Sequence, residues 1–312
     1  MKRKFRMEKV KITEVGPRDG LQNVKTFVPA DKKILFIKKL AECGIKEIQI
    51  GSFVAARAIA QFKDIKEVAG KVRLLHGVTL SALVPNERGA EEANVCGIKK
   101  LIFFFSVSRE HNCCNVKQTP QESINELQRI CRSYLPDPST TLRVDLATAF
   151  GCPFAGIIST AAVLRAVEKV ADCGIKEITL CDTVGFGNPR MVEEKFSACR
   201  RLFPLINFGA HFHNTRGLAL ANTLRAYETG IRSFDSAAGG LGGCPYAPGS
   251  SGNVATEEVV FMFEEMGIKT GIDLKKLLNV CSFLHKTIPE AQLASSLYQA
   301  GLPTINSKGE TT

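Results

Sequence analysis

Two histidines one residue apart, in "HFH" at residues 211 to 213, are the feature of this chain that most directly suggests chemistry. In a strand, residues i and i+2 share a side, so His211 and His213 face one way and Phe212 the other. Paired imidazoles are a metal-ligand geometry, although hydrogen-bonded core histidines use the same spacing about as often. Two oxygen ligands would complete a centre, and Asp19 and Asn253 are the candidates. Such a set suits a divalent ion, Mg²⁺ or Mn²⁺, with positions left for substrate and water; Zn²⁺ and Co²⁺ stay open as alternatives. Asp19 sits in "EVGPRDGLQN", residues 14 to 23, where a Gly-Pro break ends an apolar run and presents Arg18 beside it. An exposed ion pair needs no such setting, so both are read as site residues.

A third feature is "GGLGGCPYAPGSSGN", residues 239 to 253. Backbone amides of glycine-rich loops often cradle phosphate, but neither GxGxxG nor Walker spacing occurs here. The other reading is a lid that carries Cys244 toward a reacting centre, and a thiol at a Gly/Pro bend has no core to fill. Its reactivity depends on nearby cations.

These residues need a frame, and a faint repeat supplies it. "CGIKEIQI" begins at Cys43, "CGIKKLIF" at Cys96, "CGIKEITL" at Cys173 and "TGIRSFDS" at Thr229. Each joins a helix-like segment, a Gly suited to the helix C-cap and a strand-like run. With "VKITEV" at Val10 and runs starting at Arg73, Thr141 and Ile206, eight strands result. Helices are expected at 30–43, 55–70, 86–95, 120–133, 158–173, 189–202, 217–229 and 253–266. The repeats fall on strands two, four, six and eight, which favours a closed (β/α)8 TIM barrel over an open doubly wound sheet. Barrel chemistry gathers at the C-terminal strand ends. Arg18 and Asp19, Gln49 and Ser52, Asp182 and Thr183, the two histidines and the glycine-rich loop all map to that rim. The expected organisation is a catalytic barrel over 8–270, helices at 273–286 and 289–299 packed on it within an extension over 271–300, and a disordered tail over 301–312.

Bulk properties exclude several classes. Charged residues are 23% and hydrophobic ones 45% of 312, ordinary for a soluble globular protein. No run approaches the ~20 apolar residues a membrane helix needs, and the basic start lacks a signal-peptide core. The net charge of +10 comes from scattered lysines without interleaved aromatics, which argues against nucleic acid. Eleven cysteines without any CxxC fit neither a disulfide framework nor zinc, and point to a reduced, cytoplasmic enzyme. Cys43, Cys96 and Cys173 read as small buried residues ending helices. An uncovered barrel face allows a homodimer.

"EVGPRDGLQN", "IQIGSFV", "CDTVGFG", "HFHNTRG" and "GGLGGCPYAPGSSGNVATEE" together resemble the 3-hydroxy-3-methylglutaryl-CoA lyases, within a wider family of metal-dependent barrels that includes isopropylmalate synthase. The similarity runs from about Lys9 to Gly271, and the Gly/Cys loop is its most specific part. The resemblance implies cleavage of 3-hydroxy-3-methylglutaryl-CoA to acetyl-CoA and acetoacetate, in leucine breakdown or ketone-body formation. It implies Asp19, His211, His213 and Asn253 as metal ligands, Arg18 at the enolate of acetyl-CoA, and Cys244 in proton transfer. Glu14, Asp182 and Glu257 match further acidic positions, and Gln22 and Ser52 stand with Arg18 as substrate contacts. Either Asp19 or His211 can serve as general base.

Two departures mark this chain. Gln49 stands where these lyases usually have Glu, which keeps the hydrogen-bonding shape and loses the charge. Either it redirects the enzyme to another 3-hydroxy-3-carboxyalkyl-CoA, or it only braces Arg18. Arg216 in "HNTRG" replaces the Tyr of some members and is read as a contact to a more acidic or differently shaped substrate. "SREHNCCN", residues 108 to 115, is read as a loop that can line the acyl or CoA pocket, with His111 on the surface or in contact. A condensing acyltransferase and a silent CoA-ester-binding barrel are the remaining alternatives.

Overall fold

A computed structural model describes residues 9–243, 252–291 and 293–303. Cys244 and positions 304–312 of the expected tail lie outside the described residues.

Eight parallel strands close on themselves: β1 (Lys11–Glu14), β2 (Glu47–Ser52), β3 (Thr79–Leu83), β4 (Lys100–Ser106), β5 (Thr141–Ala147), β6 (Glu177–Asp182), β7 (Asn207–Phe212) and β8 (Ser233–Ser236). Closure is made where β1 pairs with both β2 and β8, in the register Lys11 to Ser233. Between and after them run α1 (Ala30–Glu42), α2 (Ile65–Val72), α3 (Glu87–Val95), α4 (Arg109–Val116), α5 (Pro120–Tyr134), α6 (Thr160–Asp172), α7 (Pro189–Leu202), α8 (Ala219–Glu228), α9 (Thr256–Glu265), α10 (Leu274–Thr287) and α11 (Ser296–Ala300). The outward strand faces and the inner helix faces form one apolar core, with Phe36, Phe103, Phe196, Phe234 and Phe263 fully buried. This is the (β/α)8 barrel that the alternation implied.

The repeat has a structural meaning. Cys43, Cys96, Cys173 and Thr229 cap α1, α3, α6 and α8, and the glycine after each has φ of +93°, +83°, +86° and +93°. A left-handed residue there turns the chain from helix to strand at no steric cost. Three residues further on, the repeats send Glu47, Lys100 and Glu177 inward from alternate strands. Lys100 Nζ donates to Glu47 Oε2 at 3.1 Å and to Glu177 Oε2 at 2.6 Å, and Lys11 pairs with Glu47. Alternate strands supplying one layer is how such barrels fill, and here the lowest layer is ionic.

The structure corrects several local expectations. The segment expected as one helix over 55–70 is a single tight turn, Ala60–Phe62, followed by α2; residues 54 and 55 and 57 to 61 line the central cleft instead. Residues 108–115, expected as a loop, fall mostly in α4, because Ser108 Oγ accepts from His111 N at 3.3 Å and caps it. The helix expected over 289–299 is reduced to α11, started by the Ser295 side chain. Of the three helix-ending cysteines only Cys43 is buried; Cys96 and Cys173 are partly exposed. The segment around α10 docks on the barrel, where Asp273 N donates to Cys43 O at 2.7 Å. Among the described residues no helix is long and apolar enough to cross a membrane.

Candidate active site

The turn after β1 is wide. The backbone N–H groups of Arg18, Asp19 and Gly20 converge on the Val15 carbonyl at 3.0, 2.7 and 3.2 Å. Pro17 has no N–H to lose at the second position of this turn. Gly16 is required by crowding, since a Cβ there would lie 2.5 Å from Glu14 Oε1. The turn sets Arg18 and Asp19 side by side, and Arg18 Nη1 pairs with Asp19 Oδ1 while Arg18 Nε donates to Gln49 Oε1.

Closure then brings Asp19 to the histidines. Ligand atoms of Asp19, His211 and His213 all lie within 4.8 Å of one another, and His213 Nε2 is 3.3 Å from Asp19 Oδ2. Segment 252–254 runs beside the end of β7, with Asn214 N donating to Gly252 O at 2.7 Å and Val254 N to Phe212 O at 3.1 Å. Asn253 therefore faces the same group. It meets Asp19 Oδ2 through Nδ2 at 2.9 Å, with a second bond to Leu241 O, while its Oδ1 is buried without a hydrogen-bond partner. His213 Nδ1 is also buried without one. A carboxylate, two imidazoles and an unpartnered amide oxygen fit a divalent cation. Burial raises the Asp19 carboxyl, but Arg18, His213 and His211 outweigh it and hold it well below the usual range.

Below this group lies a buried network that sequence reading did not find. Arg143 of β5 is bidentate to Asp145 and to Asp235 of β8, and His211 Nδ1 is 3.3 Å from Asp235 Oδ2. Burial works against the charge of Arg143, yet the two aspartates push its guanidinium well above its ordinary value. Alternation in "TLRVDLA" puts Arg143 and Asp145 on one face, and that was the available signal.

The three further acidic residues are set behind the site and are absent from the cleft wall. Glu14 accepts from Gly16 N at 2.8 Å, Ala238 N at 3.0 Å and Thr256 Oγ1 at 2.7 Å, tying the β1 turn to the start of α9. Burial pushes it up to about 7 against those bonds. Asp182 accepts from Phe186 N and Gly187 N at 2.8 and 2.9 Å, and Glu257 accepts from Gly239 N at 3.0 Å. Burial raises both carboxyls as well.

Arg18, Asp19, Gln22, Ser52, Asp145, Cys181, His211 and His213 line a cleft of about 930 Å³ at the C-terminal strand ends. Its outer part carries Lys25 and Arg57, and its walls include Val54, Leu83 and Phe104. Gln49 does not line it; it stands behind Arg18. Arg216, expected to meet the substrate, is absent from the cleft lining: Nη1 donates to the Val184 and Gly185 carbonyls at 2.8 and 3.1 Å and the guanidinium stacks over Phe186. His111 is not on the surface: it is buried, with Nδ1 2.6 Å from Ser106 Oγ. Asn115 and Val116 of α4 do reach the cleft.

The geometry agrees with the chain's similarities. Hydroxymethylglutaryl-CoA lyase YngG of Bacillus subtilis is 43% identical over 279 residues, 89% of this chain and 93% of that protein. The human mitochondrial hydroxymethylglutaryl-CoA lyase is 39% identical, over 89% of this chain and 85% of its own. The crystal structure of the B. subtilis HMG-CoA lyase superposes with a TM-score of 0.91 at 42% identity, covering 94% of this chain and 98% of that one. An HMG-CoA lyase from Acinetobacter baumannii, in complex with coenzyme A and 3-methylmalate, gives 0.89 at 41% identity, over 94% and 95%. Residues 9–284 match the HMGL-like family, and the chain belongs to it.

Proposed function

We propose that this protein is a carbon–carbon lyase that cleaves 3-hydroxy-3-methylglutaryl-CoA to acetyl-CoA and acetoacetate. One observation carries the reading: the Asp19, His211 and His213 cluster lies beside Arg18 in a cleft large enough for an acyl thioester, in a chain 43% identical to a lyase of that name. Asp19, His211 and His213 would hold Mg²⁺ or Mn²⁺, with Asn253 contributing after its amide turns. A divalent ion supplies positive charge that makes a neighbouring hydroxyl easier to deprotonate.

The protein's own groups account for the rest. Asp19 takes the proton of the tertiary hydroxyl, the C–C bond breaks, and its electron pair passes to the thioester as an enolate. Arg18, fixed by Gln49, faces that oxygen and stabilises the charge where it develops. A proton then returns to the carbon, a role given to Cys244. Gln22 and Ser52 contact the acyl part, and Lys25 and Arg57 suit the anionic nucleotide end of CoA. Glu14, Asp182 and Glu257 act as positioning residues for the turns that carry these groups. A cytoplasmic homodimer belongs to the same reading, the compartment because no cysteine spacing calls for oxidising conditions.

The test is release of acetyl-CoA from 3-hydroxy-3-methylglutaryl-CoA with Mg²⁺, Mn²⁺ or EDTA. Metal-dependent release supports the lyase. Bound metal without release would overturn this substrate and favour another 3-hydroxy-3-carboxyalkyl-CoA, the alternative that Gln49 raises.

A further inference from the structure

The lumen holds two ionic layers with different endings. In the lower one, Glu47, Lys100 and Glu177 bond to one another and to Lys11. The upper one reaches His211. Arg143 Nε and Nη2 hold the two oxygens of Asp145 at 2.7 and 3.1 Å, and Nη1 holds Asp235 Oδ1 at 2.9 Å. Nη2 also reaches Asp235 Oδ2, the atom that lies 3.3 Å from His211 Nδ1. Arg143, Asp145 and Asp235 are at most 5% exposed.

We propose that Arg143 is a positioning residue for the cation centre, acting through Asp235 to lock His211 with Nδ1 as donor and Nε2 toward Asp19 and His213. The cation centre is part of the function proposed above, and this inference rests on that part alone. A carboxylate is acceptor-only, so facing Nδ1 it keeps the proton on that nitrogen and leaves the lone pair on Nε2. Arg143 makes this permanent. Its planar fork takes both oxygens of Asp235, and Asp145 anchors the fork from the other side. His213 has no such partner at Nδ1, so the two imidazoles are not equivalent: one is braced from below, the other placed by Asp19.

The experiment is Mn²⁺ titration of the full-length protein, reading free Mn²⁺ by EPR without any CoA ester. Asp235→Asn cannot satisfy Arg143 and His211 together, since either orientation of the amide sets a donor against a donor. Its Mn²⁺ affinity is expected to fall roughly 10- to 100-fold. Arg143→Lys, which keeps the charge without the fork, is expected to fall less. Glu47→Gln in the lower layer should lower thermal stability and leave Mn²⁺ affinity unchanged, a contrast that a merely structural upper layer would not produce. Wild-type affinity in Asp235→Asn, within about threefold, overturns the proposal, as does a wild-type protein that binds no Mn²⁺. Should Asp235→Asn not fold, ¹⁵N-histidine NMR of the Mg²⁺-saturated wild type decides. His211 protonated at Nδ1 supports the inference and an Nε2–H overturns it. Intact Mn²⁺ binding without acetyl-CoA release would count against the lyase reading only.

Discussion

Gln49 stands directly behind Arg18, accepting from its Nε while its own Nε2 is buried without a hydrogen-bond partner. The carboxamide thus braces the cation from outside the cleft. Substituting Gln49→Glu would turn this hydrogen bond into an ion pair and remove a buried donor that has nothing to bind. Cleavage is expected to stay within about tenfold of wild type, whereas Gln49→Ala should cost roughly 100-fold by letting Arg18 move. Steady-state kcat for the three proteins checks this. A dead Gln49→Glu enzyme would mean that the neutral amide is required.

Arg18→Gln removes the group that faces the developing enolate. The loss expected in kcat is roughly 10²- to 10³-fold, as for removal of one oxyanion donor. Mn²⁺ binding should survive, because Asp19, His211 and His213 all remain, although Asp19 loses its Arg18 partner. Parallel titration and turnover measurements separate the two effects.

Chelation should abolish turnover and added Mn²⁺ should restore it. His213→Ala is expected to weaken Mn²⁺ binding and to make activity depend on millimolar metal. Activity that is insensitive to both EDTA and this substitution would remove the cation from the mechanism.

Gly16→Ala drives a methyl to 2.5 Å from Glu14 Oε1 and 3.1 Å from Phe36 Cζ. Relief requires the β1 turn to shift, and overpacking of this kind costs about 1–3 kcal/mol. Thermal unfolding should show that loss. Turnover should fall further than stability, because Arg18 and Asp19 ride on the same turn.

Glu14 gives a pH dependence with a definite sign. Its folded-state value of about 7 lies above the 4.5 of an ordinary glutamate. The folded state therefore favours its protonated form, and that contribution is complete below pH 4.5 and lost as pH rises through about 7. The interval corresponds to roughly 3 kcal/mol. Glu14→Gln keeps the shape and cannot ionise, so its Tm should fall less steeply than wild type between pH 5 and 8. Coincident slopes would show that Glu14 does not titrate in this range.

Much of the site could be read from local patterns. Strand alternation put His211 and His213 on one side, the Gly-Pro break flagged Arg18 and Asp19, and the spaced repeats implied a closed barrel. Errors arose where a segment's environment overrode its pattern. Residues 55 and 57 to 61 look helical but line a cleft, and residues 108–115 look like a loop until Ser108 caps them. Arg216, read as a substrate contact, instead ties down the loop after β6, because two carbonyls and an aromatic face lie within its reach.

By itself the sequence determined periodicity, and with it the barrel and the face on which each strand residue lies. It also determined the residue types at the rim, because those need only local geometry and motif. Tertiary closure alone decided the partners. Gln49 is 31 residues from Arg18, Asp235 is 92 from Arg143, and Asn253 is 234 from Asp19. Alternation names a side of a strand but not what stands opposite. Only when β8 closes against β1, after eight strands have set the register, do an arginine and two aspartates meet beneath a histidine in the same lumen.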